Sequence, residues 1–388
     1  MGRTQNCSAG LACTDHVDNL WRLANRNSMK HKKHPARFDR VLLIVIISLS
    51  LLGFLLMFDS SVIESYQTFG SPYALIRQQG LGLILGCIAF LGTFLIPPKF
   101  WIKFGKIGYI FGVLLLVLVF VPGIGVELNG AHRWLNAGFT LLQPIEIFKF
   151  LFIAAMARWF SEHQRIRPFL AVTAIPVILL LLQPDLGSTM LLVLIAVGMF
   201  FLAGGSLKKI SLIGLSIIPL VLVAIFLSPY RLERMKTFLD PNYDPLGSSF
   251  HMRQAIVAIG GGGFFGKGIG NSSQKFSYVP ETSTDSIFAI VGEELGFIGA
   301  FSLILGFGLF FWLVYKTAQH PDNSPEERLL VFGLLLWIAG QVILNLSAIV
   351  GLLPLTGVPL PFFSYGRSSL IMILFASGTI LQIARQNK

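Results

Sequence analysis

The sequence predicts an all-α, polytopic membrane protein of about ten transmembrane helices with one large extracytoplasmic loop, and three observations carry that reading. Of its 388 residues, 54% are hydrophobic, and the mean hydropathy is +0.72. Only 13% are charged, against roughly 25% in an ordinary soluble domain. Apolar stretches also recur at close to the length a bilayer core requires, about 20 residues per helix.

Residues 1–40 come first, polar and basic, and end in "KHKKHPAR". They read as a disordered cytoplasmic tail whose basic cluster lies against anionic headgroups. They lack the short apolar core and cleavage site of a signal peptide, so the first helix is the expected insertion signal. Apolar stretches follow at 41–58, 80–96, 107–122, 140–160, 168–183, 187–203, 210–228, 286–313, 329–350 and 368–383, which makes 41–388 a single bundle. The segment 229–285 is too long and too patterned for a tether. Within it "SSFHMRQAIVAIG" reads as a short amphipathic helix at the outer interface.

The formal charge of +11 raises nucleic acid as a partner, but its distribution argues for membrane orientation instead. With the N-terminus inside, 20 of the 30 Lys and Arg residues fall on the inner side. Nine fall outside, six of them in 229–285, and Lys149 lies within a helix. The expected protein is a multi-pass membrane protein with both termini cytoplasmic. No nucleic-acid partner and no organic cofactor are expected. Cys7, Cys13 and His16 match no zinc spacing, and the tail is a compartment where disulfides are rare.

Charges at membrane depth cost about 2.5–3.5 kcal/mol each on insertion scales, so those present mark function or a partner. In "NGAHRWLNAGFTLLQPIEIFKF" (129–150), Glu146 and Lys149 stand three apart and share a helix face, able to pair with each other. Arg133, beside Trp134, suits an interfacial anchor. With Lys149 it would also place two cations at one helix end, as a phosphate group requires. In "QPDLGS" (183–188) Pro184 stops one helix and Asp185 is placed to cap the next. "GGGGFFGKG" (260–268) nearly matches a phosphate-binding loop, but Gly268 replaces Ser or Thr and no strand precedes it, which excludes an ATP site. A glycine loop presenting Lys267 to a lipid-borne phosphate stays open.

"YVPETSTDSIFAIVGEELG" (278–296) sets Asp285 ahead of an apolar run, where it could cap the helix or sit in its first turn, and Glu293 and Glu294 two turns inside it. Structural polar contacts are expected of at least one glutamate. "GLLPLTGVPLPFFSYGRSS" (351–369) carries three prolines, and its backbone must be buried or line a wet cavity. It suits one wall of a cleft, with Ser364, Tyr365 and Arg367 as candidate substrate contacts. Gln274 and Lys275 of "GNSSQK" join them.

Taken together, these stretches, in this order, resemble the SEDS proteins, the FtsW/RodA/SpoVE peptidoglycan polymerases, over nearly all of the chain after residue 40. The resemblance implies a ten-helix enzyme that polymerises lipid II into glycan strands on the outer membrane face, with a class B penicillin-binding protein and, in division, other divisome membrane proteins. It implies that the acid of the Pro-Glu-x-x-Thr-Asp motif, here Asp285, is catalytic. The tail and "GNSSQK" look more like the division member FtsW than the elongation member RodA. Ser283 stands where the family usually has His. Arg367 follows Gly366 where Gly-Gly-Ser is usual, and Pro144-Ile145-Glu146 replaces Pro-Ser-Glu.

The expected mechanism has Asp285 as general base while cations hold the departing undecaprenyl diphosphate. Arg133, Lys149, Lys267 and Arg367 are the candidate cations, with Glu146 beside them. A divalent cation, Mg or Mn, is a possible aid with no ligands assigned. Lipid II translocation and a purely scaffolding role in division are the rivals.

Overall fold

The structure, a computed structural model, describes residues 38–128, 131–136, 138, 141–163, 165–206, 208, 211, 214, 226, 229–240, 243, 244, 249–272 and 286–386. The basic tail before residue 38 and nearly all of the expected 210–228 span lie outside the described residues. So do Gln274, Lys275 and Asp285.

The chain runs α1 (Phe38–Phe69), α2 (Ala74–Leu95), α3 (Pro98–Lys103), α4 (Gly105–Leu118), β1 (Gly125–Leu128), β2 (Ala131–Asn136), β3 (Leu141–Leu142), α5 (Pro144–Glu162), α6 (Ile166–Leu182), α7 (Leu186–Leu202), α8 (Pro229–Leu239), α9 (Phe250–Gly261), α10 (Ile287–Ala318), α11 (Pro325–Ile349) and α12 (Arg367–Gln386). Five of these, α1, α2, α10, α11 and α12, are long and apolar enough to cross a membrane. The helices α4, α6 and α7 are apolar but shorter.

The expectation of an all-α chain needs one correction. Residues 125–142 carry a small antiparallel sheet in the order β1-β2-β3, with Val126 opposite Trp134, Leu128 opposite Ala131 and Leu135 opposite Leu142. The Asn129-Gly130 dipeptide between β1 and β2 is the hairpin signal that a hydropathy reading passes over. The helix expected at 140–160 accordingly starts at Pro144, in the first-turn position that tolerates a missing N–H. At α11 the start is set by a capping box. Ser324 Oγ accepts from Glu327 N–H at 3.2 Å, and the Glu327 carboxylate accepts from Ser324 N–H at 2.9 Å.

Helix α5 is the hub. It packs against α4, α7, α11 and α12, and buries Phe148, Phe150, Phe152 and Ile153. Outward faces of α1, α2 and α4 expose Ile44, Leu55, Ile84, Ile88, Ile107 and Leu114, as helices do when lipid replaces water around them. Small residues bring α2 and α12 together: a Cβ on Gly86 would overlap Leu374, and one on Gly378 would overlap Thr93.

Candidate functional site

The polar groups gather at one end of the bundle. There α4 leads into the sheet, α5 and α7 begin, α6 and α11 end, and α8 lies alongside. Three arginines line a cleft at this end, Arg133 from β2 and Arg231 and Arg234 from α8. Its walls include Met190 of α7, Met235 of α8 and Thr356 of the α11–α12 connection.

Each arginine is anchored to backbone. Arg133 donates through Nε to the carbonyl of Gln183 at 3.3 Å and through its second amino group to the carbonyl of Pro184. Arg231 donates to Leu181 O at 2.6 Å, and Arg234 to Leu355 O at 2.7 Å. The carbonyls at 181–184 terminate α6, where a helix presents unpaired acceptors and partial negative charge. Burial, and then the neighbouring Arg133 charge, push the Arg231 guanidinium below its usual pKa, while Asp185 works the other way. Asp185 itself caps α7, accepting from Ser188 N–H at 3.0 Å, so the expected capping role is realised. Sequence reasoning missed Arg231 and Arg234. The available signal was "RLERMK", two arginines three apart on one helix face in a segment already marked for function.

Glu146 and Lys149 do pair, at 2.8 Å, with side chains 3% and 1% exposed. Lys149 also donates to Gln341 Oε1 at 3.3 Å and lies 4.9 Å from the centre of the Trp337 ring. Gln341 in turn accepts from Trp337 Nε1 at 2.9 Å and donates to Pro359 O at 2.9 Å. This ties α5 and α11 to the proline-rich connection. Arg133 and Lys149 therefore have different hydrogen-bond partners, while the Asp185 carboxylate is near enough for its charge to act on Lys149. Strand β2 carries Arg133 to the end of α6, while Lys149 is sealed one turn inside α5.

The glycine loop after α9 is docked against α10. Lys267 and Gly268 donate backbone N–H groups to the carbonyls of Glu293 (3.0 Å) and Glu294 (2.9 Å), and Phe297 N–H donates to Gly263 O at 2.8 Å. The approach requires glycine, because a Cβ on Gly262 would overlap the Gly292 carbonyl and one on Gly266 the Glu294 carbonyl. Gly296 interrupts α10 at φ 65° and ψ −164°, a conformation that needs glycine. The Lys267 ammonium meets the Glu293 carboxylate at 2.5 Å, Ser272 Oγ donates to the same carboxylate, and Ser272 N–H donates to Glu294 at 3.2 Å. Both glutamates thus hold structure, as expected of at least one. Lys267 serves the same clamp, with 39% of its side chain exposed. The expected amphipathic helix in this segment is α9, which packs on α10 and buries Met252, Ala255 and Ala258.

In the α11–α12 connection Ser364 Oγ accepts from Leu360 N–H at 2.8 Å, and the Tyr365 hydroxyl donates to Gln78 of α2 at 2.5 Å. Burial raises the Tyr365 pKa; nearby Arg367 opposes the rise and Glu64 adds to it. Arg367 opens α12 with its stem near Gly82 of α2. Ser286 holds the N-cap position of α10 and is buried; the capping or first-turn role left open for Asp285 lies outside the described residues. Among the described residues no three His, Cys, Asp or Glu side chains assemble a metal site.

A model of the FtsW/RodA/SpoVE family, described as "Cell cycle protein", matches residues 39–388. The chain belongs to this family. It is 36% identical over 359 residues to the probable peptidoglycan glycosyltransferase FtsW of Trichlorobacter lovleyi, covering 90% of this chain and 93% of that one. It is 37% identical over 361 residues to the stage V sporulation protein E of Bacillus subtilis, covering 89% and 97%. Among solved structures it resembles a chain of a peptidoglycan synthase complex that coordinates polymerization and crosslinking, with TM-score 0.73, 28% identity and coverage of 89% and 97%. The rod shape determining protein RodA of Thermus thermophilus follows at TM-score 0.66, 26% identity and coverage of 89% and 96%. The FtsW/RodA/SpoVE assignment and the apolar spans together make the chain a bacterial membrane protein.

Proposed function

We propose that this chain is a peptidoglycan glycosyltransferase that polymerises lipid II into glycan strands during cell division. The observation that carries the reading is the family match across 39–388, together with relatives named as peptidoglycan glycosyltransferases that align over about nine-tenths of the chain. In this reading ten spans cross the membrane, both termini are cytoplasmic, and the arginine-lined end of the bundle faces the extracytoplasmic side with 229–285. A class B penicillin-binding protein and other divisome membrane proteins are the partners, in keeping with the synthase complex among its structural relatives.

In the reaction, a sugar hydroxyl of the acceptor attacks the anomeric carbon of the growing strand. The new C–O bond forms as the bond to the diphosphate oxygen breaks, and its electron pair leaves with undecaprenyl diphosphate. Asp285 takes the hydroxyl proton. A single displacement inverts the anomeric centre. The leaving group needs charge stabilisation more than protonation, so one carboxylate and several cations suffice, unlike the two-carboxylate arrangement of glycoside hydrolysis. A divalent cation could supply part of that charge; the described residues assemble no cluster to hold it, so no step here depends on one.

The test is strand formation from labelled lipid II by the purified chain and its Asp285→Asn variant, with and without a penicillin-binding partner. Synthesis should collapse in the variant, by a factor of about 100 to 10,000 for loss of a general base. A lipid II flippase or a scaffold would keep its activity in that variant. Synthesis near the unmodified rate would remove Asp285 from the chemistry.

A further inference from the structure

Helix α10 is built in two pieces, and the glycine loop after α9 fills the joint between them. In an unbroken helix the carbonyls of Glu293 and Glu294 would accept from the N–H groups of Phe297 and Ile298. At Gly296 the chain leaves helical geometry, and all four of these groups bond the loop. The Glu293 and Glu294 carbonyls accept from Lys267 and Gly268, while Phe297 and Ile298 donate to Gly263 O at 2.8 Å and Phe264 O at 3.2 Å. Pairing of the backbone is thus preserved across the break, as burial demands, and residues 287–295 are tied to the loop where they would otherwise join the rest of α10.

Those backbone bonds would dock the loop by themselves. The joint nevertheless carries the ion pair of Lys267 with Glu293, whose side chain is 0% exposed, and Ser272 Oγ donates to the same carboxylate. Burying a carboxylate is costly, and the best-attested use of a buried pair is to fix one register between two elements. The glycines enforce the same register. A slip of one residue in either direction would put Phe265 or Lys267 in the place of Gly266, where a Cβ overlaps the Glu294 carbonyl. The piece so fixed leads directly to the reacting group of the proposed mechanism. It begins at Ile287, its N-cap Ser286 is buried, and Asp285 is the next residue back. Its residues from Ile287 to Val291 are at most 5% exposed, so it is packed on every side and passes on whatever placement the joint gives it.

We infer that Lys267 and Glu293 are positioning residues: their ion pair sets the register of the glycine loop in the break of α10, and thereby the placement of the short helix that follows Asp285. A general base must stand within hydrogen-bond reach of the proton it takes, and a displacement of about 1 Å can cost a hundredfold in rate. The inference rests on the glycosyltransferase reading and assigns neither side chain a step in the chemistry.

The test uses the full chain in nanodiscs, with hydrogen exchange of the loop and steady-state glycan synthesis from lipid II measured on the same preparations. In the unmodified chain the amides of Lys267 and Gly268 should exchange as slowly as those inside α10. Lys267→Met should lower kcat by about tenfold to a hundredfold and leave KM within about twofold. Lys267→Arg, which keeps the charge, should recover most of that loss. Gly296→Ala, which sets a Cβ against the Gly266 amide nitrogen, should release the loop to fast exchange and lower kcat as well. If Lys267→Met fails to fold, Ser272→Ala decides in its place, with an expected loss in kcat of about twofold to tenfold for one hydrogen bond. Fast exchange at Lys267 and Gly268 in the unmodified chain overturns the joint. Unchanged kcat in the Lys267→Met variant, a change confined to KM, or a Lys267→Arg variant no more active than Lys267→Met overturns the positioning role. A chain whose loop is protected but that makes no glycan fails instead in the glycosyltransferase reading, and the positioning role falls with it while the joint stands.

Discussion

Removing the Lys149 ammonium should be among the most damaging single changes available in the bundle. Its Nζ lies 2.8 Å from Glu146 Oε1, and both side chains are at most 3% exposed. At that distance and an effective dielectric near 20, the attraction is about 6 kcal/mol, most of it offset by the desolvation of both ions. Lys149→Met leaves the desolvation of Glu146 with nothing to compensate it. The other carboxylate oxygen, Oε2, already lacks a hydrogen-bond partner. The expected loss is about 3–5 kcal/mol, whereas replacing both ions with apolar residues should be near neutral. Equilibrium unfolding in mixed micelles, followed by tryptophan fluorescence, would compare Lys149→Met, Glu146→Leu and the double variant. A loss below about 1 kcal/mol in Lys149→Met, or a double variant as unstable as the single one, refutes the reasoning. Glycan synthesis by the double variant then separates a packing role from the substrate contact the sequence reading expected. Retained synthesis assigns the pair to packing.

Two further predictions follow from the same geometry. Gly262→Ala forces a methyl against the Gly292 carbonyl, which backbone cannot yield cheaply. A cost of about 1–3 kcal/mol is expected, visible as a lowered melting temperature and as faster proteolysis of the glycine loop. Tyr365→Phe removes the bond to Gln78 at about 0.5–1.5 kcal/mol, and it also changes the alkaline limb. The folded-state pKa of Tyr365 is raised by burial, so its contribution is intact below the ordinary tyrosine value near 10 and is lost as pH climbs beyond it. The phenylalanine variant should lack that component of alkaline destabilisation, and a pH series of melting temperatures checks it.

Much of this protein was legible without coordinates, and the reason is the solvent. A bilayer imposes length and apolarity on every span, so the helices α1, α10, α11 and α12 could be placed from composition alone, though their ends could not. Those ends depend on local chemistry: the Ser324–Glu327 box carries α11 back to Pro325, and Gly296 breaks α10 inside an unbroken apolar run. The Glu146–Lys149 pair was readable because helical spacing alone brings i and i+3 together. The small sheet escaped notice because its strands are two to six residues long and hydropathy windows average over them.

What the sequence by itself determined is what depends on neighbours along the chain: membrane residence, helix pairs, the Asp185 cap and the family motifs. What only the tertiary structure decided is which distant groups share a space. Arg133 and Arg231 are separated by nearly a hundred residues and meet because both bind the carbonyl end of α6. Lys267 became the partner of Glu293 because the glycines around it let two backbones touch. Contacts of that kind are set by close packing between elements, and no spacing rule along one strand or helix encodes them.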